Sequence, residues 1–244
     1  MGFNEKVHAY IAAKYYVHLS DAFGDRGREA FVHATRHYAM QRGRRMAQRA
    51  IRDGQPLTQA TYNYYGEWVP TEEMTAAGQN NRSTVMPDGS LHITRCPWHA
   101  QFEEMGLREA GMAYCWVLDS AISQGFNPEL GYVVEQTLHT HDCCIHRLTT
   151  GPINEGSERG KNPAGLRDFA YHCAHSYWSY REVSSAIFGQ AGLDAALRVL
   201  EDFCRDYGQD MTARLLGYET VNFNCCDSDC SDIDTTHPTR RDCL

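Results

Sequence analysis

The sequence predicts an α+β fold, a small antiparallel sheet flanked by two pseudo-repeated helix pairs, and three observations carry that prediction. Apolar residues recur at three- and four-residue steps near both ends of the chain, the signature of helices with one buried face. The two helical regions share a pattern: the stretch from Phe23 reappears from Phe188, a shift of 165 residues that also brings Gly24 onto Gly189, Gly27 onto Gly192, Ala30 onto Ala195, Gly43 onto Gly208, Met46 onto Met211 and Arg49 onto Arg214. Copies so far apart cannot stack on one another as solenoid units, so they are expected to frame what lies between them. That middle segment carries alternating residues and a Pro87-Asp88-Gly89 turn, which together read as a hairpin.

The first helical copy spans about residues 4–51. Val7, Ile11, Ala12, Tyr15 and Leu19 share a face, Phe23-Gly24 ends the first helix, and Asp53-Gly54 closes the second. Residues 61–74 form an aromatic connector. The central α+β segment covers about residues 83–148: a hairpin running to Trp98, helical spacing from His99 to Gln124, and one or two strands between Gly131 and Leu148. A glycine-bearing loop leads to the second copy, about residues 165–216, with helices expected over 165–187 and 193–216. Residues 1–218 are expected to form one domain, because neither copy looks self-sufficient. Residues 219–244 read as a polar, Cys-rich tail with little order of its own; its Cys225, Cys226 and Cys230 lack the paired spacing of a standard zinc site.

Composition excludes several functions. With 23 Lys and Arg against 31 Asp and Glu, a net charge of −8 opposes a phosphate backbone, so nucleic acid is not an expected partner. No run approaches the roughly 20 apolar residues of a membrane span, and the N-terminus lacks a signal peptide's apolar stretch, so a cytoplasmic protein is expected. Ten cysteines in such a chain point to thiols, metal ligands or a catalytic residue more than to a disulfide framework.

The densest chemistry lies between His139 and His146, where three His and two Cys fall within eight residues. An extended strand there would place His139, His141 and Cys143 on one face, and Thr140, Asp142, Cys144 and His146 on the other. Either face pairs a thiol with an imidazole, the minimum for a Cys/His nucleophile and equally for a zinc site with His139, His141 and Cys143 as ligands. Cys96 precedes Pro97 at an expected helix start, whose free N–H groups favour a thiolate. Cys115 and Asp119 lie one turn apart on the next helix, and Asp119, among apolar neighbours, is the candidate carboxylate for acid/base work. The catalytic candidates are Cys144, His141, Asp119, Cys96 and His146. Among Arg42, Arg44 and Arg45 one is a minor candidate for holding a substrate carboxylate.

Arg95-Cys96-Pro97, Tyr114-Cys115, Asp119, Gly125-Phe126-Asn127-Pro128, Gln136-Thr137-Leu138 and Asp142-Cys143-Cys144 with Arg147 together resemble the core pattern of the L-2-amino-thiazoline-4-carboxylic acid hydrolase family, over about residues 94–148. The resemblance implies a small-molecule hydrolase that adds water at the carbon between nitrogen and sulfur of a cyclic amidine-like ring, giving an N-carbamoyl amino acid. The residue reading fits such chemistry, with a thiolate at Cys144 or Cys96 attacking the C=N carbon, His141 or His146 moving protons and no cofactor, and with Asp142, Arg147, Cys115 and Trp98 as expected substrate contacts. His141 stands where family members often carry Gly. Two alternatives remain open at this point: a zinc-dependent hydrolase built on the same cluster, and a ligand-binding or redox-sensing module without turnover. A homo-oligomer is compatible with either, with the aromatic stretch from Tyr62 to Trp68 lining a pocket or a subunit interface.

Overall fold

The computed structural model describes residues 2–226, and the fold is α+β. Asn4 caps α1 (Glu5–Phe23) by accepting from the Val7 amide at 3.1 Å, and Gly24 ends it with φ of 59°, turning the chain into α2 (Asp25–Arg52). A Cβ at Gly27 would run into the Leu19 carbonyl, so only glycine allows so tight a corner. The corner between α7 (Phe169–Phe188) and α8 (Gln190–Tyr207) has the same geometry: Gly189 has φ of 59°, and Gly192 abuts the Ser184 carbonyl. The two corners meet, with the Phe23 and Phe188 rings stacked 3.7 Å apart. The two pairs then diverge. Gly43 is interior to the unbroken α2 and abuts the Ile122 carbonyl, whereas Gly208, at φ of 87°, breaks the helix expected over 193–216 into α8 and α9 (Gln209–Leu216). The helix expected from 165 begins at Phe169, because Asp168 caps it.

The aromatic connector contains two short helices, α3 (Gln59–Tyr64) and α4 (Glu72–Ala76). β1 (Arg82–Val85) and β2 (Leu91–Arg95) form the hairpin, followed by α5 (Pro97–Glu104) and α6 (Arg108–Phe126). β3 (Tyr132–Gln136) and β4 (Cys144–Leu148) complete an antiparallel sheet of order β1-β2-β4-β3. Along β4, Cys144, His146 and Leu148 are buried on the face toward the helices, while Ile145 and Arg147 alternate outward. α6 lies between that sheet and α2, which it approaches closely because Gly43 and Gly125 leave room for the opposing backbone.

Buried positive charge is concentrated on α2. Arg45 and Arg49 are almost wholly buried and converge on Glu67, itself fully buried, at 2.7 and 2.8 Å; Arg42 lies 3.8 Å from the same carboxylate. Burial alone would raise the Glu67 pKa, but Arg45, Arg49 and Arg42 together hold it well below the usual carboxylate range. Arg45 also donates to the Phe223 carbonyl and Arg49 to that of Cys226, so the beginning of the expected tail docks on α2. The remainder of that tail, with Cys230 and Cys243, lies outside the described residues. Among the described residues no helix is long and apolar enough to cross a membrane.

Candidate active site

Three thiols come from three elements. Cys96 is the N-cap of α5, with Pro97 at the first helical position; Cys115 lies midway along α6; Cys144 opens β4. The sheet's inner face brings them close enough to Asp119 that its negative charge raises the pKa of each. Burial is the larger cause in every case, pushing Cys96 up to about 12, Cys144 to about 11 and Cys115 well above the ordinary thiol value. Backbone amides act in the opposite direction, from His99 and Trp98 at Cys96 and from Leu138, 3.2 Å away, at Cys144. All three therefore rest as neutral thiols at neutral pH. Attack by any of them requires a base.

Cys115 has one. Its Sγ lies 3.6 Å from Nε2 of the buried His139, whose Nδ1 lies 3.3 Å from Glu103 Oε1. Burial lowers the His139 pKa, outweighing the opposing bond to Glu103, so the imidazole is neutral and free to accept a proton. Glu103 is held at about 2, chiefly by its hydrogen bond to Arg108 and then by that to His139. Thiol, imidazole and carboxylate thus follow the nucleophile, base and orienter sequence of acyl-transfer triads.

Gly111, one turn before Cys115 on α6, makes room for this arrangement. A Cβ there would collide with the His139 ring and stand 2.5 Å from Nε2. Gly111→Ala is expected to push the ring off Cys115 and lower kcat/KM by about 10²-fold, the scale of a misplacement near 1 Å. The melting temperature checks that the fold survives, since alanine is the better helix former.

A second polar chain lies beside the thiols. Tyr132 Oη is 2.7 Å from His146 Nδ1, which stands 4.0 Å from Asp119. The Asp119 side chain is 40% exposed. Trp98, Trp68, Tyr114, Leu118 and Phe169 line a narrow cleft with about 10 Å³ of free space, room for a single water. Arg42 supplies its cation: its charge depresses the His172 pKa, already lowered by burial, and its Nε is buried without a hydrogen-bond partner. Trp98 is held by donating its indole N–H to His8 Nδ1 at 2.9 Å.

The L-2-amino-thiazoline-4-carboxylic acid hydrolase family matches residues 4–148, which include α1, α2 and the elements that carry Cys96, Cys115 and Cys144. The chain belongs to that family. Comparison with curated proteins and with solved structures finds no match in either. The matched span holds Cys96, Glu103, Gly111, Cys115, Asp119, His139, Cys144 and His146, and stops where β4 ends.

Among the residues that sequence reasoning ties to the hydrolase family, Cys96, Cys115, Asp119, Cys144, His146 and Trp98 are brought together. His141, Asp142, Cys143 and Arg147 are not. Residues 137–143 form a turn, with the amides of Thr140 and His141 both donating to the Thr137 carbonyl, so the strand alternation expected for His139, His141 and Cys143 does not exist there. His141 is exposed and bonds to Thr140, Asp142 is exposed, and Cys143 lies on the opposite side of the sheet from Cys144, 4.0 Å from His92. Arg147 points outward into ion pairs with Glu135 and Asp88. The expected ligand set His139, His141 and Cys143 is therefore dispersed. Asp119, the candidate carboxylate of α6, is partly exposed and stands 4.0 Å from His146 Nδ1. Sequence reasoning missed Glu103, whose one readable signal is its place one turn after His99 on α5.

Proposed function

We propose that this protein hydrolyses a small, carboxylate-bearing cyclic amidine of the 2-amino-thiazoline class, with Cys115 as nucleophile and His139 as its base. The observation that carries this is the contact of Cys115 Sγ with His139 Nε2, at 3.6 Å, in a family named for such a hydrolase. Cys115 takes the place that Cys144 and Cys96 hold in the sequence-based expectation, because its thiol has an imidazole within reach and theirs hold backbone amides.

In the first half-reaction Cys115 Sγ bonds to the ring carbon between nitrogen and sulfur, its proton passing to His139 Nε2. The carbon–sulfur bond of the ring breaks, the electron pair stays on the ring sulfur, and His139 returns the proton to it. The ring-opened substrate is then held as an isothiourea on Cys115. In the second half-reaction water adds to the same carbon, giving a proton to His139, and the tetrahedral adduct expels the Cys115 sulfur, which takes that proton back. The product is an N-carbamoyl amino acid with a free thiol, and one water has been consumed. In this reading Asp119 pairs with the protonated amidine and Arg42 receives the carboxylate.

Incubation with L-2-amino-thiazoline-4-carboxylic acid is expected to give a product one water heavier that carries a new thiol. Acid quench and peptide mass spectrometry should find the substrate's full mass on the peptide containing Cys115. Absence of product overturns the activity. Product formed with an adduct on Cys96 or Cys144 instead overturns the assignment of the nucleophile.

A further inference from the structure

His99, Glu103 and His139 form a second constellation, sharing two residues, Glu103 and His139, with the machinery above. His99 and Glu103 are four residues apart on one face of α5, and His139 reaches them from the turn between β3 and β4. Glu103 Oε1 is 3.3 Å from His139 Nδ1 and 3.8 Å from His99 Nε2, and one ligand atom from each of the three residues lies within 4.8 Å of the others. Metal bonds of about 2.0–2.2 Å in tetrahedral geometry separate ligand atoms by about 3.3–3.6 Å, so small side-chain adjustments suffice to close the set around an ion. Two imidazoles and a carboxylate are a donor set for zinc and its neighbours in the transition series, not for calcium or magnesium. The His99 side chain is 26% exposed, which leaves an entry path and a fourth position for water.

We propose that His99, Glu103 and His139 bind a zinc-class divalent ion, and that its binding switches off catalysis by Cys115. The second half rests on the function proposed above. Its chemical basis is the division of labour on the imidazole: His139 presents Nδ1 to Glu103 and Nε2 to Cys115. A metal ion on Nδ1 takes that lone pair, so the single proton of the neutral ring must sit on Nε2. A protonated Nε2 cannot accept the proton of the Cys115 thiol. Arg108, which now bonds both oxygens of Glu103, has a side chain 64% exposed and is free to swing away when a dication takes its place.

The test uses the full chain, stripped of metal with a chelator, and its variants His99→Gln and Arg108→Ala. Zinc titration against a chromophoric chelator should show one equivalent bound by the wild type and missing from His99→Gln, and tighter binding of that equivalent by Arg108→Ala. Cobalt in the same site should give a wild-type-minus-His99→Gln spectrum without a sulfur-to-metal charge-transfer band, which separates it from binding by the chain's thiols. Turnover of the thiazoline by the wild type should fall at least tenfold as that equivalent fills, while His99→Gln, equally active without metal, should resist the same zinc concentration. Equal zinc stoichiometry in wild type and His99→Gln overturns the site. A filled site with unchanged or increased turnover overturns the switch. Because stoichiometry and spectrum are read without substrate, they stand even if the thiazoline is not turned over.

Discussion

Cys115→Ser is expected to lower kcat/KM by about 10³-fold or more while leaving the melting temperature close to that of the wild type. The scale follows from the two contributions removed together, a sulfur nucleophile and the general-base step that activates it, the latter alone contributing about 10²–10⁴-fold. Serine keeps the position and a hydrogen bond to His139 but is far less nucleophilic and has a much higher pKa, so the imidazole cannot raise it to the same reactivity. His139→Gln should produce a loss of similar size. The double variant should be little worse than either, because groups that act as one unit are not additive. Cys144→Ser and Cys96→Ser are the controls. Each sulfur lies near Asp119 and holds backbone amides, so each should cost less than about tenfold, equivalent to about 1.4 kcal/mol. A large loss in Cys144→Ser with Cys115→Ser still active would return the nucleophile to the first residue of β4.

The reason sequence alone pointed to Cys144 shows what a pattern can and cannot carry. Helical spacing, glycine corners and the Pro87-Asp88-Gly89 turn are local signals, and α1, α2, α7 and the β1-β2 hairpin follow from them with boundaries shifted by a few residues, whereas the single helical stretch expected from His99 to Gln124 is divided into α5 and α6 around Gly106, whose φ is 69°. The face shared by Cys115 and Asp119 is likewise a property of one helix. Failure came where a side chain's direction depends on a turn with no strong marker. The stretch from Thr137 to Cys143 contains no Gly or Pro to announce a reversal, so it reads as strand and puts His139 and His141 on one face. In the fold, two amides capping the Thr137 carbonyl turn the chain and send His139 inward against Gly111, while His141 points to solvent. Glu103 was beyond reach for another reason: its partner His139 is 36 residues away in sequence. Its one local mark, the spacing of one turn from His99, does not point to that partner.

Glu67→Gln is expected to be the most destabilising single substitution of a polar residue, because it leaves Arg45 and Arg49 buried beside an amide that cannot neutralise them. Breaking one side of a buried ion pair costs about 3–5 kcal/mol, a large part of the roughly 5–15 kcal/mol that holds a typical domain folded. With about 2–4 °C per kcal/mol for a chain of this size, the melting temperature should fall by about 6–20 °C. The pH dependence supplies an independent check. Glu67's pKa is lower in the folded protein than in the unfolded chain, so its stabilisation is fully present above the ordinary glutamate value near 4.5 and is lost as pH falls below it toward the folded value. The difference in stability between wild type and Glu67→Gln should thus be constant around neutrality and shrink in acid. The same substitution should raise KM, since Arg42 shares the Glu67 carboxylate and Trp68, the next residue, lines the cleft. A variant with unchanged melting temperature would mean that the carbonyls of Phe223 and Cys226 already satisfy Arg45 and Arg49, and that Glu67 adds orientation without net stability.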